Sequence, residues 1–328
     1  MGTLGERFEQ QRSRLLSVAY RITGSISDAE DAVQESWLRL DATDSDTIDD
    51  LGAWLTTVVG RICLDRLKSA AAKRESYVGQ WLPEPIVTPV APAPEYGDPL
   101  QAVIAAEDSR YAAMVLFETL TPAMRVAFVL HDGFGVPFAD VADILGSTTA
   151  SARQLASRAR RSVAGVPAPV SDTEQGEAVG RLVAAMAAGD MDAVLAALDP
   201  DAMIVGDANR TAPTAVKPIH GAVGVARFLF GLLRRYGPDM LTLPTPVRVN
   251  GDLGIYSTGW EQEGDRRASV ARVTSFVVRD GRVVAVYDIA DPAKLTAVDI
   301  SQFAPVPAPD SDAESAAQGT RHESEEKP

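Results

Sequence analysis

The stretch FADVADILGSTTASARQLASRARRSV, residues 138–163, carries two short helical stripes in succession. Phe138, Val141, Ala142 and Leu145 fall at i, i+3, i+4 and i+7, the spacing that gathers apolar side chains on one helix face. Gly146 interrupts, Ser147 and Thr148 supply capping hydroxyls, and Ala152, Leu155, Ala156 and Ala159 resume the period. Two amphipathic helices joined by a tight glycine-containing turn make a helix-turn-helix. The outer face of the second helix holds Arg153, Gln154, Ser157, Arg158, Arg160 and Arg161. Arg and Gln in its N-terminal half can read guanine and adenine in the major groove, whereas the later arginines suit phosphates. From Ser147 to Val163 there are four arginines and no acid, a density that calls for an anionic partner.

The rest of the chain runs against a free-standing nucleic-acid binder. Its 328 residues carry a net charge of −14, which repels DNA at long range. Nine acids and one base lie between Asp28 and Asp50, and five bases and one acid between Arg61 and Arg74. Two basic islands in an acidic chain point to DNA contact that needs help from another protein. No apolar run approaches the ~18 residues of a spanning helix. The polar N-terminus lacks a secretory h-region, so the expected location is the cytoplasm. The lone Cys63, between Ile62 and Leu64, cannot form an internal disulfide or a zinc cluster and reads as a small core hydrophobe.

Composition divides the chain. Residues 1–76 contain no proline and keep a helical period, with Ala29, Ala32, Val33, Ser36, Trp37 and Leu40 on one stripe. Six prolines between Pro83 and Pro99 mark residues 77–99 as a linker, and the stretch 83–99, extended at about 3.1 Å per residue, could reach roughly 50 Å. Helical patterning fills residues 100–165. Residues 172–298 begin with helices and turn to strands at Val247–Asn250, Leu253–Thr258, Val270–Arg279 and Val283–Ile289, with hairpin pairs at Asn250-Gly251 and Asp280-Gly281. Helices followed by antiparallel strands predict an α+β domain. The acidic, Pro- and Ser-rich residues 299–328 predict disorder. The fold class expected is therefore multidomain: two all-α domains, the second with a helix-turn-helix, joined by a Pro-rich linker and followed by an α+β domain.

Three segments in order, DAEDAVQESWLRL (28–40), AWLTTVVGRICLDRLKSA (53–70) and residues 138–163, resemble the extracytoplasmic-function sigma factors of bacterial RNA polymerase. The segment WLPEP (81–85) before a strand-rich C-terminal domain is similar to the subgroup carrying a fused SnoaL-like domain, a resemblance that implies a cone shape for the α+β domain. The resemblance implies that Asp28, Glu30, Asp31, Gln34, Glu35 and Leu38 face core RNA polymerase. It implies that the loop from Thr43 to Gly52, with Arg61, Asp65, Arg66 and Lys68, melts and holds the −10 promoter element. Arg153, Gln154, Ser157, Arg158 and Arg161 would then read the −35 element. It further implies an initiation factor rather than an enzyme, without cofactor, metal or membrane, and without need of a separate anti-sigma factor.

For the C-terminal domain the subgroup motif NPDKL has its counterpart in DPAKL (291–295), with Asp291 and Ala293 differing, while a glycine-rich motif expected near Gly206–Gly221 is missing. The expectation is that Trp81, Leu82, Pro83, Glu84 and Pro85 dock with Asp291, Pro292, Lys294 and Leu295, packing this domain on the first. A small ligand remains open, with His220, Tyr256, Trp260, Arg272, Tyr287 and Asp288 as pocket candidates, and His220 with Asp288 as the pair that general acid–base chemistry would need.

Overall fold

The computed structural model describes residues 3–74, 79–90, 110–262, 264 and 267–299. The acidic tail and the stretch from 91 to 109 lie outside the described residues, as do the side chains of Lys73 and Arg74. Three helices open the chain: α1 (Leu4–Thr23), α2 (Ile26–Asp41) and α3 (Leu51–Arg74). A reciprocal Thr3–Glu6 capping box starts α1, and the Ser25 hydroxyl, accepting from the Asp28 amide, starts α2. Four more helices follow: α4 (Tyr111–Phe117), α5 (Pro122–Phe128), α6 (Phe138–Leu145) and α7 (Thr149–Val163).

These two helical halves share one hydrophobic core, which runs from Phe8 through Leu55 and Val59 to Leu130, Ile144 and Ala159. The seam is tight at Gly60 of α3, where a Cβ would stand 3.2 Å from Leu130 Cδ1 and 3.4 Å from Ile144 Cδ1. Arg125, 2% exposed, crosses the seam: its Nε donates to the Arg21 carbonyl at 2.9 Å and its Nη1 to Glu118 at 2.6 Å. The halves are therefore packed together rather than held apart by a spacer.

Residues 81–89 are packed into the structure rather than spanning as free linker. Leu82 and Ile86 are buried, and Val87–Pro89 is strand β1, paired antiparallel with β4. The C-terminal domain lays helices α8 (Asp172–Ala188), α9 (Met191–Ala197), α10 (Ala222–Tyr236) and the short α11 (Asp239–Thr242) along one mixed sheet. Its strands are β2 (Leu198–Asp207), β3 (Ile219–His220), β4 (Thr245–Val249), β5 (Asp252–Ser257), β6 (Arg272–Arg279) and β7 (Arg282–Ile289), in the order β1-β4-β5-β6-β7-β2-β3. Among the described residues only β2 and β7 pair in parallel. Strand β2 was not foreseen: Asp199, Pro200 and Asp201 hide the short apolar run that follows them.

Both faces of this sheet are covered. Ile204, Phe276 and Val286 pack under the domain's own helices, while Val205, Val277, Ala285 and Tyr287 pack on Leu82 of the WLPEP segment and on Tyr111 and Ala112 of α4. A sheet buried on both sides reads as continuous apolar sequence, which is how VVAVY (283–287) looks.

Candidate functional site

The helix-turn-helix is built as its pattern demands. Gly146 ends α6 at φ +60°, a conformation that favours glycine, and the Thr148 hydroxyl caps α7 by accepting the Ser151 amide at 3.2 Å. Ala152, Ala156 and Ala159 are fully buried, so α7 lies close on its support. Arg153, Gln154, Ser157, Arg158 and Arg161 are all exposed along one face. Arg153 rests over the Phe138 ring at 5.6 Å, which orients it without using its donors on an acid. Arg160 departs from expectation: it grips Asp132 through Nε and Nη2 at 2.9 and 2.6 Å, so this arginine anchors the motif instead of joining the open face.

On α2, Glu30, Asp31, Gln34 and Leu38 are exposed, Leu38 to 60%, beside the half-buried Asp28 and Glu35. An exposed leucine ringed by acids is the composition of a protein-docking face. Arg61, Asp65 and Lys68 are exposed on α3, with Lys68 3.6 Å from Asp65. Arg66 is placed differently: its Nη1 sits 2.8 Å from Asp28 and 3.3 Å from Asp31, and its Nη2 3.9 Å from Glu35. The residue expected on the DNA face is thus tied to three residues expected on the polymerase face.

WLPEP forms the junction of all three parts of the chain. Prolines at 83 and 85 leave amide donors only on alternate residues, and each donor is taken by a different element. The Leu82 amide donates to Asp207 Oδ2 at 2.7 Å, the Glu84 amide to the Gly24 carbonyl at 2.9 Å, and the Ile86 amide to Asn250 Oδ1 at 3.0 Å. The carbonyls are taken as well. Lys294 Nζ donates to Leu82 at 2.5 Å, the Tyr111 hydroxyl to Pro83 at 2.7 Å, and the Tyr20 hydroxyl to Glu84 at 2.8 Å. No backbone group from 82 to 84 is left without a partner, the condition for burying irregular chain.

Side chains close the junction. Glu84 accepts from Ser25 Oγ at 2.8 Å and from the Ile26 amide at 2.7 Å, adding a second cap to α2. Burial raises the Glu84 carboxyl above its ordinary value, against the pull of those hydrogen bonds. Lys294 stands 3.5 Å over the Trp81 ring and 2.6 Å from Asp207. Asp291 caps the 3-10 turn Pro292–Lys294 by accepting the Ala293 amide at 3.1 Å, and Leu295 joins the core on that side of the sheet. Asn250, at φ +51° in its hairpin, donates to the Tyr20 hydroxyl at 2.9 Å. Tyr20, Ser25, Tyr111 and Asp207 have no counterpart among the residues the sequence marks, and Asn250 is marked only as a turn residue. Nothing local marks their place in the junction, since each acts through a partner far away in the chain.

The pocket candidates divide between the two faces of the sheet. Trp260, Arg272 and Asp288 line a cavity beneath α8 and α10. Tyr256 and Tyr287 point to the opposite face, in the cluster around Leu82 and Tyr111. His220 is exposed on β3 and does not line the cavity, so the His220–Asp288 acid–base pair is not assembled.

Comparison with known proteins agrees with this architecture. Residues 7–73 match sigma-70 region 2, residues 111–163 sigma-70 region 4, and residues 179–286 the SnoaL-like domain. The chain is 54% identical over 292 residues to the ECF RNA polymerase sigma factor SigJ of Mycobacterium tuberculosis H37Rv, covering 88% of this chain and 92% of SigJ. It is 36% identical over 220 residues to the probable ECF RNA polymerase sigma factor SigI of Mycobacterium tuberculosis CDC 1551, covering 63% of this chain and 73% of SigI. The crystal structure of Mycobacterium tuberculosis SigJ superposes with a TM-score of 0.76 at 52% identity, covering 89% of this chain and 98% of that one. Among the described residues no helix is long and apolar enough to cross a membrane. Sigma factors bind core RNA polymerase and promoter DNA and do no chemistry of their own. With both sigma-70 regions in place and most of SigJ matched, the chain belongs to the ECF RNA polymerase sigma factors, in the form that carries a fused SnoaL-like domain.

Proposed function

We propose that this sigma factor acts in the cytoplasm and is regulated by its own C-terminal domain, which holds the two promoter-reading halves in a fixed relation. A separate anti-sigma factor is then not required. The observation that carries this reading is the WLPEP junction, where Asp207, Asn250 and Lys294 of the C-terminal domain bond the same few residues that bond Gly24, Tyr20 and Tyr111 of the helical halves. A change in the C-terminal domain reaches both halves through it.

The exposed face of Arg153, Gln154, Ser157, Arg158 and Arg161 reads the −35 element, and Arg61, Asp65, Arg66 and Lys68 lie along the −10 element. Asp28, Glu30, Asp31, Gln34, Glu35 and Leu38 meet core polymerase. Arg66 serves as the strut between the last two sets, so docking of polymerase on the acidic face loosens Arg66 toward DNA. The net charge of −14 keeps the lone chain off DNA, and polymerase supplies the missing affinity. Run-off transcription with core polymerase tests this: the full chain should give a defined start site, and the Arg153→Ala/Gln154→Ala variant should lose it. Each lost base contact weakens recognition by about 1–3 kcal/mol. An unchanged start site and yield in the variant would remove the assignment of α7.

A further inference from the structure

The cavity of the C-terminal domain holds an arginine with an open binding edge. Arg272 on β6 reaches Asp288 on β7 through Nη1, at 3.2 Å to Oδ2 and 3.5 Å to Oδ1. Its Nε and Nη2 are buried from solvent and have no hydrogen-bond partner among the described residues. These two nitrogens form the side edge of the guanidinium, the fork whose parallel N–H bonds match the two oxygens of a carboxylate. Leaving both donors buried and unsatisfied is costly, and native interiors rarely tolerate it without an occupant.

The surroundings fit an apolar body. Arg272 lines a cavity of about 80 Å³ together with Leu229, Ile255, Phe276 and the rings of Tyr236 and Trp260. Those rings stand edge to face, with centroids 6.1 Å apart, and Arg272 lies 5.8 Å from the Tyr236 centroid. That space lies between apolar side chains, which suit the body of a ligand whose charged head meets Arg272. Asp288 does not compete for the fork. It contacts the other nitrogen and also accepts the Thr214 hydroxyl at 2.9 Å. A carboxylate on the fork is nearer the guanidinium than it is to Asp288, so attraction exceeds repulsion.

The geometry assigns this cavity as a binding site for a small organic carboxylate with an apolar body of one ring or a short chain, held bidentate by Arg272 Nε and Nη2. The site goes beyond the promoter-reading role and does not depend on it. Asp288 neighbours Tyr287 on β7, whose ring packs 5.8 Å from Tyr111 on the far face of the sheet, so an occupant and the junction meet the same strand from opposite faces.

Titration of the full chain with benzoate and with hexanoate, read by calorimetry and by tryptophan fluorescence, tests the assignment. Both acids should bind saturably, and benzamide and hexanamide at least about tenfold more weakly, because an amide offers the fork one acceptor and no charge. Arg272→Lys keeps a cation beside Asp288 and loses the fork, and should weaken benzoate by about tenfold or more, with thermal unfolding monitored to show that the variant is folded. Two outcomes overturn the proposal: no saturable binding of either acid up to about 10 mM, or equal binding of acid and amide by the unaltered chain.

Discussion

Lys294 and Asp207 form an ion pair of 2.6 Å in which the lysine side chain is 3% exposed and the aspartate fully buried. The same two side chains hold the amide and the carbonyl of Leu82, so one residue of the junction is closed into a ring by one ion pair. Burial lowers the proton affinity of Lys294, and Asp207 opposes the shift. Removing one partner of such a pair strands the other charge. Lys294→Met should therefore destabilise the chain by about 3–5 kcal/mol, and Lys294→Met/Asp207→Leu should recover part of the loss. Urea unfolding of the single and double variants measures both.

Arg125 predicts a comparable cost at a different seam. Its fully buried guanidinium ties Glu118 to the Arg21 carbonyl, which joins the second helical half to the end of α1. Arg125→Ala should cost about 3–5 kcal/mol, and adding Glu118→Ala should return part of it. A cost below about 1 kcal/mol in the same unfolding measurement would mean that the two halves do not depend on this contact.

At Gly60 the prediction concerns volume rather than charge. Leu130 and Ile144 already stand at contact distance from a Cβ that is not there. Gly60→Leu should overpack the seam and destabilise by about 1–3 kcal/mol, read from the shift in denaturation midpoint.

Glu84 gives a pH dependence with a definite sign. Burial raises its folded pKa, so the folded state holds the proton more tightly than the unfolded state. Its contribution to stability is therefore present below the unfolded pKa and lost as pH rises through the folded pKa. Glu84→Gln removes that term. Lowering the pH from about 7 to about 4 should increase the stability of the unaltered chain relative to the variant, and urea unfolding at both pH values shows whether the difference moves that way.

Much of the architecture was legible because local patterns decided it. The α6–α7 pair follows from one period and one glycine, and the hairpins at Asn250-Gly251 and Asp280-Gly281 from residues that accept positive φ. What escaped was set by distance. The prolines of residues 81–89 read as extended chain, and docking of Trp81–Pro85 is expected only from the family resemblance; the partners that take the remaining donors, Asp207, Gly24 and Asn250, have no local sign. Arg66 and Arg160 look like free cations because their acids, Asp28 and Asp132, are 38 and 28 residues away. Pairings of that range have no local signature.

Run-off transcription from a cognate promoter by core polymerase, comparing the full chain with the Lys294→Met/Asp207→Leu variant at equal folded concentration, tests most directly whether the C-terminal domain governs promoter reading. The account predicts a specific transcript reduced by about tenfold in the variant, at an unchanged template concentration. A transcript of the same start site and the same yield from both proteins would contradict it.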